Sequence, residues 1–331
     1  MSLYRAETRR LAKRRFTRWL LVGALLVLGA VVVGTAFTNQ KVGAAQIAAA
    51  EADAERNYQE NLRYAEQERQ RCETDPSAYG GDCSQLYTPQ REEYRAEDYM
   101  ASTFDFRQKF GDMITTLAAI VGLAAFVIGA SYIGAEWTSG GMMNLLLWRP
   151  QRLKVLGTKL IALLVGLGAV SVVLSAVWTG IFVLIANLRG TMAGMTAGAW
   201  QSVVLTEVRA VALILVAGAI GFGLAALGRH TALALGAAVG AIVVFQFGLV
   251  TVLSLARVPF AEAWLLPTWV AAWMYKEITL EDYNSCDFSA TQGCQPPELT
   301  LTWPMSGGLM ALALVLIVGA AMWTMRSRDI T

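Results

Sequence analysis

Charge is scarce in this chain. Only 16% of its 331 residues are Asp, Glu, Lys or Arg, against roughly 25% in a typical soluble domain. The deficit is concentrated. Residues 19–40, 113–135, 160–188, 210–228, 230–256 and 299–325 hold no charged side chain at all. About 20 apolar residues span a bilayer as a helix, and each block is close to or above that length. A soluble enzyme, a nucleic-acid-binding domain and a secreted disulfide scaffold are thereby excluded. So is a β-barrel, whose signal is short alternating strands rather than long apolar blocks. The expected fold class is all-α and polytopic, with six transmembrane helices.

Catalytic equipment is equally thin. There is one histidine, His230, beside Arg229 in a short turn. A single imidazole makes no metal site, and none of the G-x-S-x-G, H-E-x-x-H or G-x-x-x-x-G-K-[ST] patterns occurs. Gly157–Thr158–Lys159 lacks the glycine-rich lead-in of a phosphate loop. No catalytic, cofactor or metal site is therefore expected, and ATP-driven work would need a second chain. No span carries a central charge of the kind that proton pumps and ion-coupled transporters use. Gln246 is the clearest polar side chain deep in a span, read either as a helix–helix hydrogen bond or as a polar residue on a pathway.

What charge there is lies unevenly. Net charge is only +2, but Arg5, Arg9, Arg10, Lys13, Arg14, Arg15 and Arg18 crowd the first 18 residues against one acid, Glu7. Basic loops stay cytoplasmic. Placing the N-terminus inside puts segments 1–18, 136–159, 229 and 326–331 there, with 14 Lys and Arg against 3 Asp and Glu. The outer segments 41–112, 189–209 and 257–298 hold 13 against 22. Both termini are then expected in the cytoplasm, and the basic, apolar N-terminal block reads as a signal anchor rather than a cleaved signal peptide. Cys72, Cys83, Cys286 and Cys294 all fall outside, where disulfides persist. Four cysteines allow three pairings; the local pairs Cys72–Cys83 and Cys286–Cys294 are expected, with a bridge between the two outer loops as the alternative.

Along the chain, residues 1–18 read as a cytoplasmic amphipathic helix lying on anionic lipid headgroups. Span 1 (19–40) leads into an extracytoplasmic segment, 41–112. Its residues 43–73 are rich in Ala, Glu, Gln and Arg, strong helix formers. Residues 74–89 carry Pro76, Gly80, Gly81 and Pro89, a turn cluster, and residues 90–110 read as a second helix. A helical hairpin is expected, either a solvated spacer or a lid or partner-docking knob. Span 2 (113–135), an inner loop (136–159), span 3 (160–188), an outer loop (189–209), span 4 (210–228) and span 5 (231–256) follow. In the outer segment 257–298, the uncharged run 263–275 is too short to span. It suggests a re-entrant or interfacial hairpin, with Pro267 breaking it into two short helices. Span 6 (299–325) and a tail (326–331) close the chain.

The inner loop is the most informative segment. Glu136 ends span 2, Gly140–Gly141 permits a sharp redirection of the backbone, and Met142–Trp148 is an apolar stretch stopped by Pro150. Arg152, Lys154 and Lys159 follow, expected at the lipid surface. A short helix along the cytoplasmic face can fit a groove on a soluble partner. The pattern Glu136-x-x-x-Gly140, then Leu145–Leu146, Pro150, Arg152 and Lys159, resembles the ABC-2-type transporter permease family. The ending Arg326–Ser327–Arg328–Asp329–Ile330 resembles that family's terminal R-D-I. Trp137 stands where the family often has a basic residue, and Gly141–Met142 replaces Thr–Leu.

The resemblance implies a transmembrane permease subunit of a bacterial ABC exporter, in the plasma membrane. Separately encoded ABC ATPase subunits would bind ATP and Mg, and a second permease copy or a sister permease would complete the pathway. Coupling to the ATPase would fall on Glu136, Gly140, Gly141, Met142, Leu145, Leu146, Pro150 and Arg152. Apolar spans favour a hydrophobic or amphipathic substrate: a drug, antibiotic, lipid or lipopeptide. The alternatives are a mechanical or regulatory ABC-type complex signalling through the extracytoplasmic hairpin, and a membrane scaffold that transports nothing. Membrane lipids are expected partners; nucleic acid is not.

Overall fold

The computed structural model describes residues 3–79, 83, 86–148, 151–282 and 296–327. The described part of the chain is overwhelmingly helical, and six helices are long and apolar enough to cross a membrane. The all-α polytopic class expected from the charge-free blocks is therefore what forms. In order come α1 (Leu3–Lys13), α2 (Arg15–Thr38), α3 (Ala44–Thr74), α4 (Phe106–Thr138), α5 (Gly141–Trp148) and α6 (Arg152–Arg189). They are followed by α7 (Ala197–Gly228), α8 (Thr231–Ala241), α9 (Val250–Leu255), α10 (Leu266–Tyr275) and α11 (Trp303–Ser327). The six candidate spans are α2, α4, α6, α7, the stretch Thr231–Leu255 that includes α8 and α9, and α11.

The chain divides into two compact units. The first comprises residues 1–31, 107–181 and 194–331. Its interior is built on α4 and α7, the two spans with the largest buried share. They cross at glycines. A Cβ on Gly129 would sit 2.1 Å from the Gly218 carbonyl oxygen, and one on Gly221 would sit 2.2 Å from the Phe126 carbonyl oxygen. Backbones this close gain dispersion contact along the whole crossing, the device membrane helices use where no hydrophobic force drives association. A Cβ on Gly223 of α7 would meet the Ile317 side chain of α11 at 2.7 Å.

Toward the start of α4, this unit carries a small polar and aromatic layer. The Tyr275 hydroxyl donates to Asp112 Oδ1 at 2.6 Å; burial, and then this bond, hold that hydroxyl's pKa above its ordinary value. Pro267 does not break the 263–275 run. It lies in the first turn of α10, where its missing N–H needs no partner. A short 3₁₀ turn, Ala261–Trp264, precedes it. Two strands not anticipated from the sequence follow: β3 (Glu277–Glu281) and β4 (Glu298–Thr302) pair antiparallel. They bury Leu280 and Leu301 against Ala272 of α10. Cys286 and Cys294 lie outside the described residues, as does the 328–331 tail.

The second unit comprises residues 32–106 and 182–193. Its long element is the 31-residue α3, about 46 Å long at 1.5 Å per residue. Cys72 at its C-terminal end is disulfide-bonded to Cys83, the local pair. The second helix expected over 90–110 is replaced by short 3₁₀ turns at Arg91–Glu93 and Ala96–Tyr99 and a two-residue strand, Phe104–Asp105. The physical reason is anchoring. Tyr94 packs on Tyr58 of α3 with ring centroids 5.6 Å apart, and Arg91 pairs with Glu55 at 2.9 Å. A chain that must return along α3 while planting these side chains covers the distance better half-extended than coiled. Phe104 and Phe182 close the unit, both buried, with centroids 5.3 Å apart.

The glycine crossing generates a paired prediction. Gly129→Leu should cost about 2 kcal/mol or more through overpacking and lower the thermal midpoint of the purified protein in micelles. Gly122→Ala, with nothing within 4 Å of the added Cβ, should not lower the midpoint. Equal midpoints would show that α4 and α7 do not cross at these glycines.

Candidate functional site

Charges gather where α1, the C-terminal end of α4 and the first turns of α6 meet. Tyr132 and Glu136 are one turn apart on α4 and share a face. Glu7 and Arg10 do the same on α1. From α6 comes Lys159, which is completely buried (0% exposed). Its Nζ lies 2.9 Å from Glu7 Oε2 and 2.7 Å from Glu136 Oε2. The Tyr132 hydroxyl donates to the same Glu7 oxygen at 2.7 Å, and the Lys159 ammonium lies 5.4 Å from the Tyr132 ring centre. Arg10 reaches Glu136 Oε1 at 3.5 Å from the exposed side. Arg14, in the one-residue break between α1 and α2, donates to the Ser131 carbonyl at 3.0 Å. Burial draws the Arg14 guanidinium below its ordinary pKa, with the Glu136 carboxylate acting in the opposite sense. It remains a cation at any physiological pH.

One buried carboxylate, Glu7, one half-buried carboxylate, Glu136, and one buried ammonium make a closed electrostatic unit. Removing charges from water costs several kcal/mol per ion, repaid only by close, multiple partners. Lys159 has them, and so does Glu7. The cluster thus pins α1 to α4 and α6 by charge as well as by packing. Its neighbourhood is tight throughout. A Cβ on Gly166 of α6 would meet Leu11 of α1 at 3.0 Å, and one on Gly134 of α4 would sit 2.4 Å from Thr231 Oγ1 at the head of α8. Arg229, held at φ 53° between α7 and α8, covers the Trp137 ring at 5.0 Å. The His230 ring caps α8 by accepting the Ala232 N–H at 3.0 Å.

α5 leaves this cluster directly. Glu136 lies one turn before Gly140, whose φ of +72° turns the chain out of α4, a conformation that glycine adopts without penalty. Within α5, Met142 and Leu146 are buried on one face, Gly141 and Leu145 are half-buried, and Leu147 and Trp148 are 81% and 87% exposed. A short apolar helix thus presents its outer edge to whatever lies beyond. Arg152 opens α6 and is half-buried. Pro150 lies outside the described residues.

Of the residues singled out by sequence, Glu136 sits inside the charged cluster, and Gly140, Gly141, Met142, Leu145 and Leu146 form the turn and helix that continue from it. Gln246 belongs elsewhere, half-buried in the π-helical stretch Ile242–Leu249 of the fifth span. Lys159 is a correction: it is not at the lipid surface but fully interior. Glu7, Arg10, Arg14 and Tyr132 were not singled out. The signal for Glu7 was available, as the one acid among seven basic residues. The signal for Tyr132 was its place one turn before Glu136. Among the described residues, no group of three or more His, Cys, Asp or Glu side chains could hold a metal ion.

The family model for ABC-2 family transporter proteins matches residues 1–280. No curated protein matches the chain.

Lys159→Met leaves the buried Glu7 with only the exposed Arg10, 3.9 Å away, as counter-charge and should destabilise the protein by about 3 kcal/mol. Lys159→Met combined with Glu7→Gln should cost clearly less than the sum of the two single changes, because a pair within one network is not additive. Denaturant unfolding of the four proteins in micelles checks this, and simple additivity would refute the cluster as a coupled unit.

Proposed function

The chain belongs to the ABC-2 family of transporter proteins, and from that premise we propose that it is the transmembrane subunit of an ATP-driven exporter for a hydrophobic or amphipathic substrate. Separately encoded ATPase subunits bind ATP and Mg, and a second copy of the chain, or a sister permease, completes the pathway. Both termini face the cytoplasm, as the excess of Lys and Arg in the N-terminal, 136–159 and C-terminal segments favours. The charge-free spans support an apolar or amphipathic cargo rather than an ion.

The observation that carries this reading is the continuity between α5 and the charged cluster. A partner gripping Leu147 and Trp148 would act on a helix whose inner face is buried at Met142 and Leu146 and whose N-terminal end follows Glu136 by one turn. Displacing α5 therefore loads Glu136, and through Lys159 and Glu7 it loads α6 and α1 as well. Closure of an ATPase dimer would then move α4 and α6 together instead of bending one loop. Such a device earns the name coupling only if the cluster has two arrangements whose balance the nucleotide biases.

One observation favours a second reading. The unit of residues 32–106 and 182–193 has its own disulfide, ion pair and aromatic core, more structure than a tether between two spans requires. A mechanical or regulatory ABC-type complex would use that unit to signal outside the membrane.

Trp148→Ser with Leu147→Asp removes the exposed edge of α5 and leaves its buried face alone. Loss of central apolar anchors costs an interface about 2 kcal/mol or more, roughly thirtyfold in affinity. The double variant should insert normally yet lose its ATPase partner on purification from native membranes. Glu136→Ala should keep the partner and lose substrate-stimulated ATP hydrolysis. Recovery of the wild-type chain without any Walker-type ATPase would sink the permease reading.

A further inference from the structure

The opposite end of the bundle holds a cation that its own chain leaves only partly satisfied. Arg209 projects from α7, thirteen residues into that span. Its guanidinium covers the Trp303 ring at 5.5 Å. Trp303 meets Trp273 edge-on, with centroids 6.1 Å apart, and the Trp273 indole N–H donates to the Arg209 carbonyl at 2.9 Å. Gly307 admits the Trp273 ring, which a Cβ there would meet at 2.8 Å. The arginine is thus clasped by α10 and α11. Yet its buried Nη1 has no hydrogen-bond acceptor among the described residues. One turn along α11 from Trp303, Ser306 is fully buried (0% exposed), and its Oγ likewise has no partner among them.

The nearby carboxylates are engaged. Glu207 accepts from Thr179, and Asp112 accepts from Tyr275. A second cation lies on the same side. Lys276, at φ 77°, directs its Nζ to Ser202 Oγ at 3.2 Å. Ser202 is seven residues before Arg209, two turns up one face of α7. Arg209 thus keeps an unused donor beside an indole wall in a largely apolar setting, where an unpaired guanidinium is costly, and Lys276 stands two turns away along α7, at Ser202.

We propose that the guanidinium of Arg209, backed by the Trp303 ring and with Ser306 one turn along α11 from that ring, binds the anionic headgroup of an amphiphile. Phosphate and carboxylate are the groups a guanidinium recognises through paired N–H donors. The Trp303 ring, 44% exposed, offers apolar surface to the carbon atoms next to the headgroup. The inference rests on the permease reading and narrows its cargo from amphipathic to anionic amphipathic. The same chemistry occurs in a bilayer phospholipid, and the test separates the two sources.

The test uses the full-length chain in dodecyl maltoside micelles with radiolabelled dodecyl phosphate as probe. Saturable binding of one equivalent per chain is expected, not displaced by dodecanol. Arg209→Gln should weaken it about tenfold or more, the value of a hydrogen bond to a charged group. Arg209→Lys and Ser306→Ala, which keep the charge and nearly the volume, should each weaken it severalfold and remain informative if Arg209→Gln does not fold. Wild-type affinity in the folded variants, or equal displacement by dodecanol, overturns the proposal. In phosphatidylcholine nanodiscs, displacement of the probe by added phosphatidylglycerol assigns the Arg209 site to a lipid headgroup. Persistence of binding assigns it to cargo; either result sustains the anion site. No ATPase enters the assay, so its failure leaves the permease reading standing, and loss of the ATPase partner would leave the binding result intact.

Discussion

A lysine with no exposed surface, held between two carboxylates from different helices, is the constraint on which one end of this protein depends. Lys159 cannot be solvated where it lies, and its ammonium is balanced by Glu7 and Glu136 within ion-pair distance. Neither carboxylate can leave alone without exposing the others to an apolar surrounding. The energy at stake is large in the broken state and small in the intact one, because desolvation offsets most of the attraction. Such a cluster adds little net stability. It makes arrangements in which one partner has left expensive.

That constraint gives meaning to packing that would otherwise look ordinary. α4 is 33 residues long and is gripped near its middle by the glycine crossing with α7. At its C-terminal end it is gripped by the cluster and by the approach of Gly134 to Thr231. A load on α5 therefore enters a helix held at two levels. Lys159 joins that helix to α6, and backbone contact joins it to α7. α1 is joined to α2 only through the single non-helical residue Arg14, whose guanidinium is itself tied to Ser131. The amphipathic N-terminal segment is consequently part of the bundle's wiring, because Glu7 faces inward while its arginines line the outer face.

The features that were legible in the sequence are those set by local composition. Charge-free blocks of helical length give six spans because a bilayer allows few other solutions. Gly140 followed by an apolar octet gives a turn and a short helix, since both signals lie within ten residues. The local cysteine pair Cys72–Cys83 follows from proximity along the chain. What escaped was everything set by contacts between distant segments. Lys159 looks like a surface lysine because its partners are 23 and 152 positions away. Tyr132 looks like an aromatic in an apolar run. The 90–110 segment has helix-forming composition, yet its tyrosines and arginines are recruited by α3, and tertiary anchoring overrides propensity. β3 and β4 pair across a gap in sequence that no short-range signal bridges.

The two ends of the first unit then differ in a way that bears on direction. At the end of α4 beyond Glu136, the buried ammonium of Lys159 lies within ion-pair distance of Glu7 and Glu136, and the apolar edge of α5 is exposed. A closed ionic set beside an exposed Leu147 and Trp148 suits a surface worked by another protein, because the charges hold geometry while the apolar edge supplies grip. At the start of α4, the acids are satisfied by Tyr275 and Thr179, but the guanidinium of Arg209 keeps an unused donor against an indole. An ionic set left open there suits a small ligand that brings its own counter-charge. Between these ends the charge-free stretches supply no group at which an anionic headgroup could pause, and Arg209 stands at the end away from α5. If cargo moves toward that end, Arg209 stabilises the product side and must release it again. A single guanidinium backed by a hydroxyl, rather than a cage of several cations, is the strength of site from which an anion can still leave.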